Sequence, residues 1–344
     1  MLFARMNGAE AETDDDRVET RRKRTPLWHR FVAGGLRATT WAFGHMPTFL
    51  AYGLADVLAV PIALMWSLQD RSGKQVRGYW RNVRIVYREG GLGASRPRWH
   101  LLKVARHLTW LAVDSCRLHR ITKETLRDIV DCGEFEPMLD LYKEGKGIVW
   151  ATAHIGVWDV AGYVCALMGI PITSVFRPSP IPGVDRVISD LRTGSGQVVV
   201  AKQNVVGTLR RALQRKESIG LLCDSSGRRG DAYPPFLGTA AATVATPALL
   251  SLSSGAPIAV VTAMRRGKFR FAMRVWDVIP AEPTGDREGD VQRILARVNL
   301  ALGKSVAEHP EQWFWQGRRF KHRPPGEKPG PDGLPPHGIF TGSS

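Results

Sequence analysis

One stretch of the chain, residues 148–159 with the sequence IVWATAHIGVWD, constrains the fold more than any other. It opens with a short apolar run, which is typical of a strand in a parallel sheet that is covered on both faces. His154 follows this run, Gly156 permits a sharp turn, and a helix is expected to begin at about Trp158. The pattern predicts an open α/β sheet, in which ligand sites lie beyond the carboxyl ends of the strands.

Two polar side chains of this stretch can work together. His154 is expected at the end of the strand and Asp159 in the first helical turn, close enough to accept a hydrogen bond from the imidazole. Such a carboxylate fixes the tautomer of the ring and supports the imidazolium that forms when the ring takes a proton. The pair is therefore predicted to be a general base with its orienting carboxylate. The residues alone equally allow a His that caps a strand or helix, with Asp159 favoured by the helix dipole.

The rest of the chain repeats this alternation of strands and helices. Besides the strand before His154, strands are predicted over residues 126–130, 171–176, 197–201, 219–223, 256–261 and 269–278, the last two as a hairpin. Helices are predicted over residues 74–88, 99–120, 134–144, 184–192, 205–215, 244–252 and 289–307. This order indicates the α/β class, with a mixed, largely parallel central sheet flanked by helices.

The N-terminal region has the most membrane-like sequence. Its apolar run over residues 45–66 carries one acid, Asp56, and two prolines, so it is marginal for a spanning helix of about 20 apolar residues. An interfacial or re-entrant anchor fits better, and a pair of buried core helices is the alternative. The chain is thus divided into a charged disordered tail, a membrane-associated helical segment, an α/β domain and a Pro/Gly-rich disordered tail, over residues 1–26, 27–70, 71–323 and 324–344.

The charge balance limits the partners that the chain can bind. Its 48 Lys and Arg residues outnumber 32 Asp and Glu residues, which gives a formal net charge of +16. An anionic membrane surface or an acidic carrier protein suits this charge. Nucleic acid is not expected, because no zinc-finger, RNP or helix-turn-helix signature is present.

Two further strand ends deliver polar side chains. Arg177 follows the strand over residues 171–176, and Asp224 follows the strand over residues 219–223. The carboxyl ends of parallel strands meet at one edge, so both are expected near His154. Arg177 is predicted to bind a phosphate or an oxyanion, the alternative being a surface Arg before a turn. Asp224 before glycines is also a common turn residue.

A basic face lies beside the predicted site. Lys202, Arg210 and Arg211 supply its charges. Such a face can dock an acidic carrier protein or anionic lipid head groups. A helix face that is simply solvated is the competing interpretation.

Two motifs resemble a known group of enzymes. His-x4-Asp at His154 and Asp159 resembles the lysophospholipid acyltransferase superfamily. The bacterial branch of lipid A lauroyl/myristoyl acyltransferases and phosphatidylinositol mannoside acyltransferases usually reads His-x-Gly-Asn-Trp-Glu/Asp, and here Val157 replaces the Asn. Residues 310–321, PEQWFWQGRRFK, resemble the closing Pro-Glu-Gln-Tyr-x-Trp-x-His-Arg-Arg-Phe-Lys of this branch, with Gly317 in place of His. The likeness covers about residues 40–323 in the same order.

The resemblance implies a glycerol-3-phosphate acyltransferase-like fold and direct acyl transfer without a metal or other cofactor. His154, oriented by Asp159, would remove the proton of a hydroxyl on a membrane glycolipid or lysolipid as that hydroxyl attacks an acyl thioester. The donor would be acyl-carrier protein or acyl-CoA, and the implied location is the cytoplasmic face of the bacterial inner membrane. Arg177 or nearby backbone amides would stabilise the oxyanion. The predicted substrate-binding residues are Trp158, Arg177, Lys202, Arg210, Asp224, Arg318 and Arg319, the last two facing phosphate.

Two other functions remain open from the sequence. A thioester hydrolase could use the same His154–Asp159 pair to activate water, without a lipid acceptor. A catalytically inactive membrane-binding homologue is suggested by the apolar Val157 and the small Gly317, which stand where polar residues are usual.

Overall fold

The computed structural model describes residues 27–71, 79–88, 92–93, 100–179, 181, 183–203, 205–228, 232–330 and 333–338. The tail predicted over residues 1–26 lies outside these residues, as does the start of the helix predicted over residues 74–88. The helices are α1 (Leu27–His45), α2 (Thr48–Arg71), α3 (Tyr79–Val86), α4 (His100–Cys116), α5 (Leu126–Ile129), α6 (Pro137–Lys143), α7 (Trp158–Leu167), α8 (Val184–Thr193), α9 (Val205–Gln214), α10 (Thr246–Ser254) and α11 (Arg287–Glu308).

A mixed sheet forms the centre of the fold. In the described part of the chain its strands are β1 (Val130–Asp131), β2 (Val149–Thr152), β3 (Ile172–Phe176), β4 (Val198–Ala201), β5 (Ser218–Leu222), β8 (Ile258–Gly267) and β9 (Arg270–Ile279). Their order is β1-β9-β8-β2-β5-β3-β4, and β8–β9 is the antiparallel pair among otherwise parallel neighbours. Two short strands, β6 (Pro235–Phe236) and β7 (Thr239–Ala240), form a separate ladder. The predicted fold class is confirmed.

Helices cover both faces of this sheet, because successive strand residues point to opposite sides. In β2, Val149 and Ala151 pack with residues of α9, α10 and α11 on one face. Trp150, between them, packs on the other face with residues of α2, α6 and α7. The strand at the centre is therefore apolar on both sides, as its sequence predicts.

One strand prediction is wrong. Of the residues 126–130, the first four form the short helix α5, and Val130 begins the two-residue strand β1. The reason lies in two threonines upstream of the helix: the Thr122 amide donates to Thr125 Oγ1 at 3.0 Å, and the Leu126 amide donates to the Thr122 carbonyl at 2.9 Å. A threonine side chain that accepts a backbone N–H, together with the backbone bond that follows it, starts a helical turn where the apolar pattern alone fits a strand.

Helix α2 has one face on the protein and one face exposed. Small side chains at every fourth position, Ala51, Ala55, Ala59 and Ala63, are buried, and the helix packs along α4. Its outward side exposes apolar side chains, among them Leu54, Val57, Leu58, Val60 and Leu64. By length and composition alone, α2 is the one helix of the described residues that could cross a membrane, over Thr48–Leu68.

Two residues of α2, a proline and an acid, bear on the sequence prediction. Pro61 lies inside the helix without ending it, so the apolar run is longer than its prolines suggest. Asp56 accepts hydrogen bonds from Arg106 Nε and Trp110 Nε1 of α4, both at 2.7 Å. Because this ion pair lies along the α2–α4 contact, α2 belongs to the body of the fold.

The C-terminal segment contacts the α/β domain. In its described part, Arg88 donates to the Pro335 carbonyl at 2.6 Å, and the Gly338 amide donates to the Gly238 carbonyl at 2.7 Å. The pattern rich in Pro and Gly removes regular secondary structure, but its carbonyls and amides still find partners on the domain.

Candidate functional site

The turn between β2 and α7 is fixed by backbone contacts. Gly156 has φ +59°, and a Cβ there would lie 2.1 Å from the Ala263 carbonyl oxygen, so no other residue fits without displacing β8. The Gly156 amide donates to the Gln312 carbonyl at 3.0 Å, and the Val157 amide donates to the Ala263 carbonyl at 2.8 Å. The turn thus holds the preceding His154 in one place.

His154, which is partly exposed, and the buried Asp224 form a pair at the carboxyl edge of the sheet. Thr152 of β2 is level with Leu222 of β5, so each residue lies two positions beyond the matched pair. The Nδ1 atom of His154 lies 2.8 Å from Asp224 Oδ1, and its amide donates to Oδ2 at 3.0 Å. An ionised carboxylate can only accept, so Nδ1 carries the proton and Nε2 of the neutral ring holds a lone pair. That is the tautomer of a general base.

Electrostatics favour this arrangement. Burial alone would lower the pKa of His154, but the charge and hydrogen bond of Asp224 offset this effect and raise the pKa above its ordinary value. Burial would likewise raise the pKa of Asp224, yet its contacts with His154 hold that pKa below its ordinary value. The carboxylate therefore stays ionised, and the imidazole is a stronger base than a free one.

The expectation that Asp159 orients the imidazole is wrong. Asp159 lies in the first turn of α7, where its Oδ1 is 2.7 Å from Arg192 Nε of α8. The protonated edge of His154 faces β5, so the carboxylate that it meets comes from 70 residues further along the chain. Asp159 acts on His154 by charge, which adds to the rise in the pKa of the ring.

Asp224 does not lie where a substrate-binding residue would. Its side chain is 4% exposed, against 28% for that of His154. Its Oδ2 also accepts a hydrogen bond from Trp313 Nε1 at 2.9 Å, so protein donors occupy both oxygens. The structure gives Asp224 the orienting role that the sequence pattern assigns to Asp159.

The closing motif, residues 310–321, packs against the backbone of His154 and Ile155. The Phe314 amide donates to the His154 carbonyl at 2.8 Å, and Trp313 pairs with Ile155 as an antiparallel bridge. Gln312 holds the backbone of Arg265 in β8, accepting from its amide at 2.9 Å and donating to its carbonyl at 3.1 Å. Sequence reasoning singled out this motif but did not place Trp313 in contact with the site.

The two arginines of that motif separate. Arg318 is exposed, whereas Arg319 is 1% exposed. Arg319 donates to the Ala242 carbonyl and to Thr243 Oγ1, both at 2.8 Å, and to Asn299 Oδ1 at 3.0 Å. Burial lowers its pKa to about 10. The prediction that Arg319 faces phosphate is wrong, because this side chain fastens the closing motif to the loop before α10 and to α11.

The other predicted cations are exposed on the β3–β4 side. Phe176 of β3 is level with Ala201 of β4, so Arg177 and Lys202 follow at the same edge as His154. Both side chains are exposed, as is that of Arg210, which lies on the outward side of α9. Their placement agrees with a basic face, and their binding of phosphate or carrier protein stays a prediction.

An apolar cavity lies beside His154, between α7, α8 and the sheet. Its volume is about 560 Å³ with the open solvent at its mouth included, and its lining is mainly apolar. Trp158 and the Asp159–Arg192 pair line it, and the Trp158 ring centre is 5.2 Å from that of His154. The remaining lining residues are Trp150, Thr152, Ala161, Gly162, Cys165, Ile172, Ser174, Val175, Gln197, Gly220, Leu221, Leu222 and Val261.

Two glycines of the lining let neighbouring side chains of the cavity wall approach closely. A Cβ at Gly162 of α7 would lie 2.6 Å from Gln197 Oε1, and a Cβ at Gly220 of β5 would lie 3.2 Å from Ile172 Cδ1. Sequence reasoning did not find the cavity, because its walls come from elements that are distant in sequence. The available signal is Gly220, a glycine inside an apolar strand.

Comparison with known proteins identifies the family of the chain. The sequence model of a family described as bacterial lipid A biosynthesis acyltransferase matches residues 103–322, more than half of the chain. The chain belongs to this family. The predicted membership of the lipid A acyltransferase branch is therefore confirmed.

Individual relatives are distant. The chain is 27% identical over 187 residues to the lipid A biosynthesis palmitoleoyltransferase of Escherichia coli (strain K12), a match that covers 54% of this chain and 59% of the relative. It is 24% identical over 193 residues to the lipid A biosynthesis lauroyltransferase of the same organism, covering 56% and 61%. A lipid A biosynthesis acyltransferase of Haemophilus influenzae is 25% identical over 185 residues, covering 54% and 57%. The chain thus spans about three fifths of the length of these relatives.

Proposed function

We propose that this protein is an O-acyltransferase that moves a fatty acyl group from an acyl thioester to a hydroxyl of a lipid A-type glycolipid. The observation that carries the proposal is the His154–Asp224 pair beside an apolar cavity, in a chain of the lipid A acyltransferase family. The pair supplies a base, and the cavity supplies a place for an alkyl chain next to it.

The reaction follows from the tautomer of His154. Its Nε2 takes the proton of the acceptor hydroxyl as that oxygen forms a bond to the thioester carbonyl carbon. Asp224 stabilises the resulting imidazolium. When the tetrahedral intermediate collapses, the C–S bond breaks and the imidazolium returns its proton to the thiolate. The ester product and free thiol leave His154 neutral again.

Three amides of the turn are already used and do not supply the donor for the oxyanion of the intermediate. The amides of His154, Gly156 and Val157 already donate to Asp224, Gln312 and Ala263 respectively. We therefore assign the oxyanion to Arg177, which follows β3 at the same edge of the sheet.

The cavity under α7 suits the acyl chain. Its walls are mainly apolar, so burying methylene groups there is favourable by about 0.8 kcal/mol each. Trp158 lies between the cavity and His154, which puts the thioester end of a bound chain next to the base.

The charged and apolar surfaces fit the remaining substrates. The exposed side chains of Lys202, Arg210 and Arg211 suit an acidic acyl-carrier protein or the phosphates of acyl-CoA. The exposed apolar side of α2 suits the surface of a bilayer, where the acceptor lipid resides. A cytosolic donor and a membrane acceptor together imply the cytoplasmic face of the bacterial inner membrane.

A reconstituted assay tests this proposal. The purified full chain in detergent is given acyl-carrier protein or CoA thioesters, with and without lipid A precursors, and products are identified by mass spectrometry. We expect an acylated lipid with wild-type protein and none with His154→Ala. Release of free fatty acid that does not depend on the lipid would indicate a hydrolase instead. Binding of the protein to membranes without any turnover would indicate the inactive homologue.

A further inference from the structure

The carboxylate of Asp224 is held by three donors. Its Oδ1 meets His154 Nδ1 at 2.8 Å, and its Oδ2 accepts from the His154 amide at 3.0 Å and from the Trp313 indole N–H at 2.9 Å. Two of the three donors therefore belong to His154, the residue that Asp224 orients, and the third is the indole N–H of Trp313. Because Trp313 is 1% exposed, the indole N–H is shielded from water.

The backbone of Trp313 is fixed on both sides. The preceding residue, Gln312, accepts the Gly156 amide at 3.0 Å, and the following residue, Phe314, donates its amide to the His154 carbonyl at 2.8 Å. Trp313 itself bridges to Ile155. The segment that carries the indole is thus tied to both ends of the catalytic turn.

The indole ring is fixed as well. Its ring centre lies 4.8 Å from that of Trp315, edge to face, and 5.6 Å from that of Phe236. Aromatic neighbours on two sides restrict rotation of the ring in a close-packed core. The direction of its N–H bond is therefore set by packing, independently of Asp224.

We infer that Trp313 is a positioning residue of the proposed reaction, whose indole N–H holds the Asp224 carboxylate in the orientation that serves His154. This inference rests on the proposed function for its catalytic meaning. Without the N–H, Oδ2 keeps one donor and the carboxylate can rotate away from Nδ1. The imidazolium then loses part of the contact with Asp224 that stabilises it, so the pKa of His154 falls and proton removal from the acceptor is slower.

The variant Trp313→Phe tests this inference, with Trp315→Phe as its matched control. Both replace a buried Trp by a smaller aromatic ring, but the Trp315 N–H donates to the Pro310 carbonyl at 2.6 Å instead of to Asp224. We expect Trp313→Phe to lower kcat about tenfold, the loss of one hydrogen bond to a charged group, with KM little changed. The acid limb of its kcat profile moves to lower pH, whereas that of Trp315→Phe stays in place.

A direct titration separates this inference from the proposed function. In histidine-labelled full-length protein, the NMR signal of His154 is assigned by its absence in His154→Gln, and its titration is expected to move to lower pH in Trp313→Phe only. Equal kinetic losses in both Trp variants with unchanged His154 titrations would overturn the inference, while an inactive His154→Gln would leave the proposed function standing. Full activity of His154→Gln would instead remove the proposed function.

A measurement on the wild type covers the case in which Trp313→Phe does not fold. The indole N–H resonance of Trp313 is expected to shift over the same pH range in which His154 titrates, because both donate to one carboxylate. The Trp315 resonance is the internal control and is expected to stay constant. A Trp313 resonance that does not follow the His154 titration would overturn the inference.

Discussion

Replacing Asp224 by Asn tests the arrangement of the base most sharply. The change keeps the size of the side chain but removes the charge that faces His154 Nδ1 at 2.8 Å. With charge centres about 4 Å apart and an effective dielectric constant of about 20, that charge stabilises an imidazolium by about 4 kcal/mol. If the transition state carries most of this charge, kcat falls by about 10³. An Asn amide that donates to Nδ1 would also force the wrong tautomer, which adds to the loss.

The matched control for this variant is Asp159→Asn. Asp159 pairs with Arg192 and reaches His154 only through its charge, so we expect its kcat to fall by about tenfold or less. Initial rates of acyl transfer, measured by mass spectrometry over a range of pH, compare the two variants. The reasoning would be refuted if Asp224→Asn stayed within tenfold of wild type while Asp159→Asn abolished turnover.

Four further outcomes are expected. The kcat of wild type rises with pH as His154 loses its proton, because the base must be neutral and its pKa lies above the ordinary value. In Asp224→Asn this rise moves to lower pH, and a rise that stays in place would contradict the assignment of Asp224 as the partner of His154. Gly220→Val fills the cavity, so products shift to shorter acyl chains in lipid analysis, and an unchanged chain-length profile would place the acyl chain elsewhere. Arg319→Met leaves several buried acceptors unpaired and lowers the free energy of unfolding by about 2–4 kcal/mol in denaturant titrations. A change under about 0.5 kcal/mol would instead indicate that Arg319 is a surface residue. Val57→Glu places a charge on the exposed side of α2 and weakens sedimentation with anionic vesicles, while Val198→Glu on β4 does not; equal effects would refute a membrane role for α2.

The local pattern of the sequence predicts the turn around His154 well. An apolar run, a glycine that needs positive φ and an acid in the first helical turn are all short-range signals, and β2 and α7 begin and end close to the predicted bounds. The alternation of strands and helices likewise predicts which residues lie at the carboxyl edge of the sheet, because parallel strands bring their carboxyl ends together. This is why Arg177 and Asp224 were placed at the correct edge from sequence.

The partner of His154 could not be chosen in this way. Asp159 lies 5 positions away and Asp224 lies 70 positions away, and local spacing favours the nearer one. The choice is made by the register of β2 with β5, which a sequence pattern does not encode. The same limit applies to Arg318 and Arg319, since two adjacent arginines look alike until the packing of the closing motif buries one of them.

In the proposed reaction, His154 acts as the base of an acyl transfer to a membrane glycolipid. Lipid mass spectrometry on the native host, with and without the gene and complemented by wild type or His154→Ala, tests it most directly. We expect one lipid class to lose one acyl chain without the gene, and only the wild type to restore it. An unchanged lipid profile, or full restoration by His154→Ala, would show that His154 is not the base of such a transfer.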